Sequence, residues 1–390
     1  MNARLPRPVL VLSDVHLSHG GRAGAADDLA RLIRGHRGYE VVLAGDLFDL
    51  SVDPPERDPS ESVVALLQPR AKLSSACRAH LAEGGALTLV AGNHDAPTTI
   101  PEVRRALVGM MELDEAAQLS VAPWFVRRGS VHIEHGHLYD PDNAPAHPLA
   151  LWSPGTEPLG ISLTRRFLAP NGALHFAHAH ETTPLGGLAR TFRLFGPRAP
   201  WIVANYFQTA IRLCIEAGRQ AELCTERELG ARALDDFAAE TGLDAAQLVE
   251  LVGSAPQPTH HRFRDTFMRL YFDRIIATLL ATSGAAAGVT LGNPVALGLA
   301  AASAGYLAFS VQQNKSRYSG GVVERLRNAA GQVADLTGAE FVIMGHTHRE
   351  DEGPRYLNTG SFAFSRSGGR PYVHIDELGT PERRLLAFGT

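Results

Sequence analysis

The chain has 390 residues, of which 45% are hydrophobic and 20% charged, and its formal charge is −4. That composition excludes a disordered or fibrous polymer and leaves room for one large domain or two ordinary ones. No basic excess points to nucleic acid as a partner, and Cys77, Cys214 and Cys224 contain no Cys-x-x-Cys pair, so a reducing compartment is the simpler reading.

The first apolar run, residues 8–12, passes directly into Asp14-Val15-His16. It is too short for a secretory signal and is needed as a strand, so the catalytic part is expected in the cytoplasm. Residues 9–12, 40–43 and 87–90 are predicted strands, and 27–34 and 62–83 predicted helices, from their β-branched runs and helical spacing. This alternation argues for an α/β fold with its ligands at the carboxyl ends of the strands. Three polar motifs stand at such ends: Asp14-Val15-His16, Gly45-Asp46-Leu47-Phe48-Asp49 and Gly92-Asn93-His94-Asp95. Residues 124–127 and 130–134, joined through Arg128-Gly129, form a predicted hairpin that delivers Gly136-His137.

The next such motif, Gly345-His346-Thr347-His348, comes about two hundred residues later, and a connection of that length must be a subdomain because loops beyond roughly 12–15 residues are uncommon. Residues 140–200 are rich in Pro, Gly and His and read as irregular. His175, His178 and His180 lie within them without an acidic partner at a recognisable spacing, which argues against a third metal site. Residues 201–228 and 234–252 have helical spacing, with Thr241 and Asp244 in a capping-box-like arrangement. His260-His261-Arg262-Phe263-Arg264 reads as a solvated basic helix face.

Residues 275–314 contain no Asp, Glu, Lys, Arg or His, and Asn293-Pro294 divides them into two apolar halves. Arg269 and Arg274 precede the stretch and Lys315 and Arg317 follow it, so a membrane-inserted hairpin would leave both ends, and the enzyme, on the cytoplasmic side. The halves are short against the roughly 17–25 residues of a spanning helix and rich in Ala and Gly. A buried helix pair, inside the subdomain or at the interface of a homo-oligomer, is the alternative. Short strands are predicted at 341–344, 356–358, 361–364 and 372–375.

Asp14, His16, Asp46, Asn93, His137, His346 and His348 are the ligand types of a pair of divalent ions, each just after an apolar run. One such block is weak, but five in this order are specific. The set resembles the calcineurin-like metallophosphoesterase superfamily over residues 9 to about 140 and about 338 to 376. The resemblance implies a two-sheet αββα sandwich with a large, mainly helical inserted cap. The catalytic domain would comprise 1–140 and 320–390, and the cap 141–319 with the apolar hairpin 275–314. It further implies one metal site of Asp14, His16 and His348 around Asp46, and a second of Asn93, His137 and His346. Two cations so close need a bridging anion, for which Asp46 is the candidate.

His94 corresponds to a family histidine that protonates or stabilises the leaving oxygen, with Asp49 orienting it and Asp95 as a further partner. The chemistry agrees, since an alkoxide needs a proton and a carboxylate holds an imidazole protonated and aimed. Asn358-Thr359-Gly360-Ser361 is similar to the family's turn after the last histidine motif. Imidazole, carboxylate and amide donors without thiolate suit Mn²⁺, Fe or Zn²⁺.

The expected reaction is hydrolysis of phosphate mono- or diesters by metal-activated water. One reading of the substrate is a phosphorylated lipid or lipid-linked nucleotide at a membrane surface. Bacterial UDP-diacylglucosamine hydrolases are similar in carrying helical insertions over this core, but they generally have Arg where His94 stands. A second reading is a soluble phosphodiesterase, phosphatase or nuclease. A third is a noncatalytic scaffold, although no ligand is missing.

Overall fold

Val9-Leu10-Val11-Leu12 sends alternate side chains to opposite faces, and all four residues are buried, so this strand must be covered on both sides. In the computed structural model, which describes residues 4–19, 23–113, 119–176, 184–218, 220–313, 321–365 and 367–389, the requirement is met by a second sheet on one face and helices on the other. The strands are β1 (Val9–Leu12), β2 (Glu40–Ala44), β3 (Ala86–Val90), β4 (Leu119–Ala122), β5 (Phe125–Arg128), β6 (Val131–Glu134), β7 (Phe341–Met344), β8 (Glu350–Gly353), β9 (Tyr356–Thr359), β10 (Gly369–Ile375) and β11 (Pro381–Ala387). The helices are α1 (Ala23–Gly35), α2 (Pro59–Leu67), α3 (Ala71–Ala82), α4 (Pro101–Met110), α5 (Leu159–Leu163), α6 (Pro184–Phe195), α7 (Ala199–Glu216), α8 (Gln220–Arg232), α9 (Leu234–Thr241), α10 (Ala245–Ser254), α11 (Phe263–Arg269), α12 (Phe272–Leu291), α13 (Pro294–Gln313) and α14 (Val322–Thr337).

The chain forms two compact units, one of Met1–Arg166, Gln220–Pro258 and Val322–Thr390, the other of Phe167–Arg219 and Thr259–Gly321. The first unit holds both sheets. One has the order β11-β10-β1-β2-β3-β4, with β1 to β4 parallel; the other has β5-β6-β7-β9-β8, with β6, β7 and β9 parallel. Val9, Val11, Val42 and Val90 meet Val131, Ile133, Ile343 and Leu357 between the sheets. The opposite face of β1 to β3, with Leu10, Leu12, Val41 and Leu89, packs on α1 to α4, while α14 covers the second sheet through Leu326, Ala330 and Val333. Helices on the outside and two sheets within give the αββα sandwich.

Residues 141–166 and 220–258, expected within an insertion over 141–319, cluster with the sheets. Phe237 of α9 and Leu248 and Leu251 of α10 share a core with α14, which draws them into the first unit. The second unit is helical. The Phe267 ring stacks at 5.5 Å on both Phe263 and Phe272, tying α11 to α12, and Asn205 of α7 donates to Asn171 at 3.1 Å.

Several expected elements break where local chemistry demands it. The helix predicted over 62–83 divides into α2 and α3 at Pro69, which has no N–H to continue the first helix. That over 234–252 ends its first half at Gly242, with φ 67°, and restarts at Asp244, whose backbone N–H donates to Gln247 Oε1 at 2.9 Å. Thr241 instead donates back to Phe237 O, so the capping box is one of Asp244 and Gln247. Residues 361–364 form no strand, because the Phe362 and Ala363 N–H groups donate to the carbonyls of Ser13 and Asp14. The irregular stretch 140–200 includes α5 and α6. His178, His180, Lys315 and Arg317 lie outside the described residues.

Arg370 of β10 pins that 361–364 turn. Its Nε donates to Asp28 of α1 at 2.9 Å and its Nη1 to the Phe362 and Ala363 carbonyls at 2.8 Å, all buried. Burial opposes ionisation of Asp28, but Arg370 outweighs it and lowers the carboxyl's pKa. Arg370→Met leaves Asp28 only Arg31 and the Gly389 N–H as partners and is expected to cost about 1.5–3 kcal/mol in chemical denaturation. Because the folded-state pKa is depressed, the wild-type advantage should be full above the ordinary carboxylate range and shrink as pH falls through it.

Candidate metal centre

Five strand ends in the first unit converge. The turn after β1 carries Asp14 and His16, that after β2 carries Asp46 and Asp49, that after β3 carries Asn93, His94 and Asp95, and those after β6 and β7 carry His135 and His346-Thr347-His348. Seven non-glycine residues among those described have positive φ, and five of them are here: Asp14, His16, Asp46, His346 and His348, at 46–67°. Left-handed backbone at such residues costs of order 1–3 kcal/mol each and persists only where the surroundings enforce it. Close approach is part of that enforcement. A Cβ on Gly92 would lie 2.2 Å from Asp46 Oδ1, and one on Gly345 would lie 2.1 Å from Ser13 Oγ.

Two donor groups result. In the first, His16 Nε2 is 3.0 Å from His348 Nε2, and Asp14 Oδ1 is 3.0 Å from His348 Nε2 and 3.7 Å from His16 Nε2. In the second, His135 Nε2 is 3.2 Å from Asn93 Oδ1, which is 3.1 Å from His346 Nδ1. Asp46 Oδ2 belongs to both, 3.7 Å from His16 Nε2 and 3.2 Å from His135 Nε2. Donors at about 2.0–2.2 Å from a shared ion stand roughly 2.8–3.8 Å from one another across the angles of octahedral, tetrahedral and five-coordinate sites, so these spacings fit two divalent cations.

His137, the expected ligand of the fourth motif, stands in neither group. β6 ends at Glu134, so His135 is the first residue past the strand, and its Nδ1 is held by the Ala44 carbonyl at 2.9 Å. Gly136, at φ 96°, then turns the chain into the short helix His137–Tyr139. The His137 ring lies 5.4 Å from that of His135 and lines a small cleft with Asn93, Asn143 and His147. Burial, followed by the charges of His135 and His346, lowers its pKa well below the usual imidazole range. His135 behaves oppositely: burial opposes its charge, but Asp46 and Asp14 outweigh burial and raise it to about 10.

Two further residues escaped the sequence reading. Asp140 Oδ2 accepts from His346 Nε2 at 3.0 Å and from Asn143 Nδ2 at 2.8 Å, and Asn143 Oδ1 accepts from Asn93 Nδ2 at 3.2 Å. This chain orients two donors of the second group at once. Their signal was the run Asp140-Pro141-Asp142-Asn143 just after the histidine motif.

His94 lies beside the first group, its ring 4.9 Å from that of His16. Its Nδ1 is 2.8 Å from Asp49 Oδ1, and Ser51 Oγ donates to the same oxygen at 2.6 Å. Burial works against the imidazolium, but Asp46 and then Asp49 outweigh it and hold the pKa up to about 9. Asp95 is a framework residue. Its carboxylate accepts from Gly92 N and Leu47 N at 2.7 Å and from Asp46 N and Phe48 N at 3.3 Å, joining two of the strand-end turns. Asp95→Ala should orphan these buried N–H groups and cost about 2–4 kcal/mol in thermal or chemical unfolding. A loss below half a kcal/mol would show that the turns hold without it.

Comparison with curated proteins returned no match. The family model described as calcineurin-like phosphoesterase matches residues 7–202, just over half of the chain, and ends well beyond the first four motifs. By that match the chain belongs to the calcineurin-like phosphoesterase family, a family of phosphoester hydrolases that implies a dinuclear divalent metal centre.

Proposed function

We propose that Asp14, His16 and His348 would hold one divalent ion, that Asn93, His135 and His346 would hold a second, and that Asp46, whose Oδ2 faces both groups, would serve the two together. The observation that carries this reading is the place of that one oxygen in both donor groups. A metal pair held so supplies an activated water and neutralises phosphoryl oxygens. Mn²⁺, Fe and Zn²⁺ all suit the donor set, with Mn²⁺ favoured by its preference for carboxylate and amide oxygen beside imidazole.

The chain's own chemistry lies at His94. The Nδ1–H donates to Asp49, which leaves Nε2 to carry the proton that a leaving alkoxide takes up as the phosphoester bond breaks. Asp140 and Asn143 keep His346 and Asn93 aimed. For the substrate, a phosphorylated lipid or lipid-linked phosphoester is the preferred class, supported by the charge-free stretch 275–313 that forms most of α12 and all of α13. A soluble phosphodiesterase acting on a polar ester is the second reading, supported by the intact pair of His94 and Asp49, which serves any alkoxide leaving group.

Metal analysis of purified variants tests the ligand assignment. Asp46→Asn should lose turnover and metal, and His135→Ala should lose about half of the bound metal, whereas His137→Ala should retain its full complement. The reverse order for the two histidines would return the second site to His137. His94→Ala should lower kcat by ~10²–10⁴-fold with metal content unchanged. Activity should be present below the His94 pKa and fall as pH rises through it. Asp49→Asn removes a carboxylate that raises that pKa, so the alkaline limb of the kcat profile should move to lower pH; an unmoved limb would detach Asp49 from the proton donor.

A further inference from the structure

The 39 residues 275–313 carry no charge, and they form nearly all of α12 and α13. Each helix has 20 residues, about 30 Å at 1.5 Å per residue, which equals the thickness of a bilayer's hydrocarbon core. The two helices pack on each other through small residues. A Cβ on Gly284 would lie 2.8 Å from Ala296 O, and one on Gly288 would lie 2.5 Å from Leu297 Cδ2. Gly284-Ala285-Ala286-Ala287-Gly288 is thus a small-residue seam of the kind that lets membrane helices approach.

Their outward faces are as apolar as the seam. Val289, Leu291 and Val295 are 77–78% exposed, and Leu279 and Phe309 are 61% and 60% exposed. A helix pair hydrophobic all round lacks the polar face that water would require. Four of its hydroxyls are satisfied within their own helix, as hydrocarbon demands. The hydroxyls of Thr278, Thr282, Ser283 and Thr290 donate to carbonyls one turn back at 2.6–2.9 Å. At the open end of the pair, Arg274 Nε donates to Ser310 Oγ at 3.0 Å and Tyr306 donates to Asp273 at 2.5 Å, so charge is confined to that end.

Charge also separates along the chain. The unit formed by Phe167–Arg219 and Thr259–Gly321 has eleven Lys and Arg against four Asp and Glu, a formal +7. The whole chain is −4, which leaves −11 on the other unit. A basic unit carrying a charge-free hairpin matches an anionic bilayer, where headgroups attract Lys and Arg at the surface and hydrocarbon takes the apolar helices.

We infer that α12 and α13 insert into an anionic lipid bilayer as an antiparallel hairpin, with both ends on one face. This placement is independent of the substrate reading, since the hairpin inserts whatever ester the site hydrolyses. The test is flotation of the full-length protein with sealed phosphatidylcholine vesicles, with and without phosphatidylglycerol. Metal-dependent hydrolysis of an aryl phosphate in detergent serves as a separate readout of folding. The protein should float with the phosphatidylglycerol vesicles and stay bound through high salt and an alkaline wash.

Leu279→Lys and Leu299→Lys, near the middle of each helix, should weaken partition roughly 100-fold while leaving the detergent activity intact. Release by salt alone would overturn insertion in favour of surface adsorption. A detergent-free soluble dimer that Leu279→Lys converts to monomer would overturn it in favour of a second copy of the chain. Undiminished flotation of both active variants would equally overturn it.

Discussion

The first unit is organised around the sharing of one carboxylate. Asp46 is 1% exposed, so its oxygens have been removed from water and must recover that solvation from neighbours. One oxygen takes a backbone N–H from His94, and the other faces imidazole nitrogens on both sides. Lone pairs from Asp14, His16, His348, Asn93 and His346 crowd the same space, an arrangement that neutral or anionic groups would push apart and that cations draw together. The sheets therefore do more than make a core. Parallel β1, β2 and β3 bring their carboxyl ends to one edge, while β6 and β7 bring theirs from the second sheet.

That arrangement stores strain, since five donor or neighbouring positions adopt left-handed backbone without being glycine. It is held by connections with no catalytic role. Asp95 ties the β2 and β3 turns, Asn358 donates to Gly345 O at 2.7 Å behind the last motif, and Arg370 fixes the turn that bonds to the Asp14 and Ser13 carbonyls. The same environment separates the histidines electrically. Asp46 raises the pKa of His94 and His135 against the effect of burial, whereas burial and the charges of His135 and His346 lower that of His137.

Much of this was legible in the sequence because it is written locally. Alternating short apolar runs with polar residues at their ends identify β1, β2, β3, β6 and β7 and place Asp14, His16, Asp46, Asn93, His346 and His348 at one edge. At the fourth motif the structure sets His135 beside Asp46 in place of the expected His137, for an identifiable reason. Gly-His137 imitates Gly-Asp46, Gly-Asn93 and Gly-His346, whereas the glycine there follows the residue that faces Asp46, because β6 ends one residue before His135. Asp140 and Asn143 were invisible because their partners, His346 and Asn93, lie far away in sequence. Of the helices within 141–319, α5 and α6 lie in a stretch whose Pro, Gly and His content read as irregular; α7 to α10 were legible from their spacing, but nothing in it could assign α9 and α10 to the core they share with α14. Residues 361–364 looked like a strand and were claimed instead by the Ser13 and Asp14 carbonyls.

His16 and His348 meet although 332 residues separate them, and the apolar helices α12 and α13 lie between them in the chain. Order of synthesis thereby becomes order of assembly. A ribosome must deliver the entire helical pair before it reaches the histidines that close both donor groups, so no nascent or truncated chain ending before residue 346 has a complete centre. A complete donor set therefore arises only at the last stage of translation, after the whole apolar helical pair has already emerged.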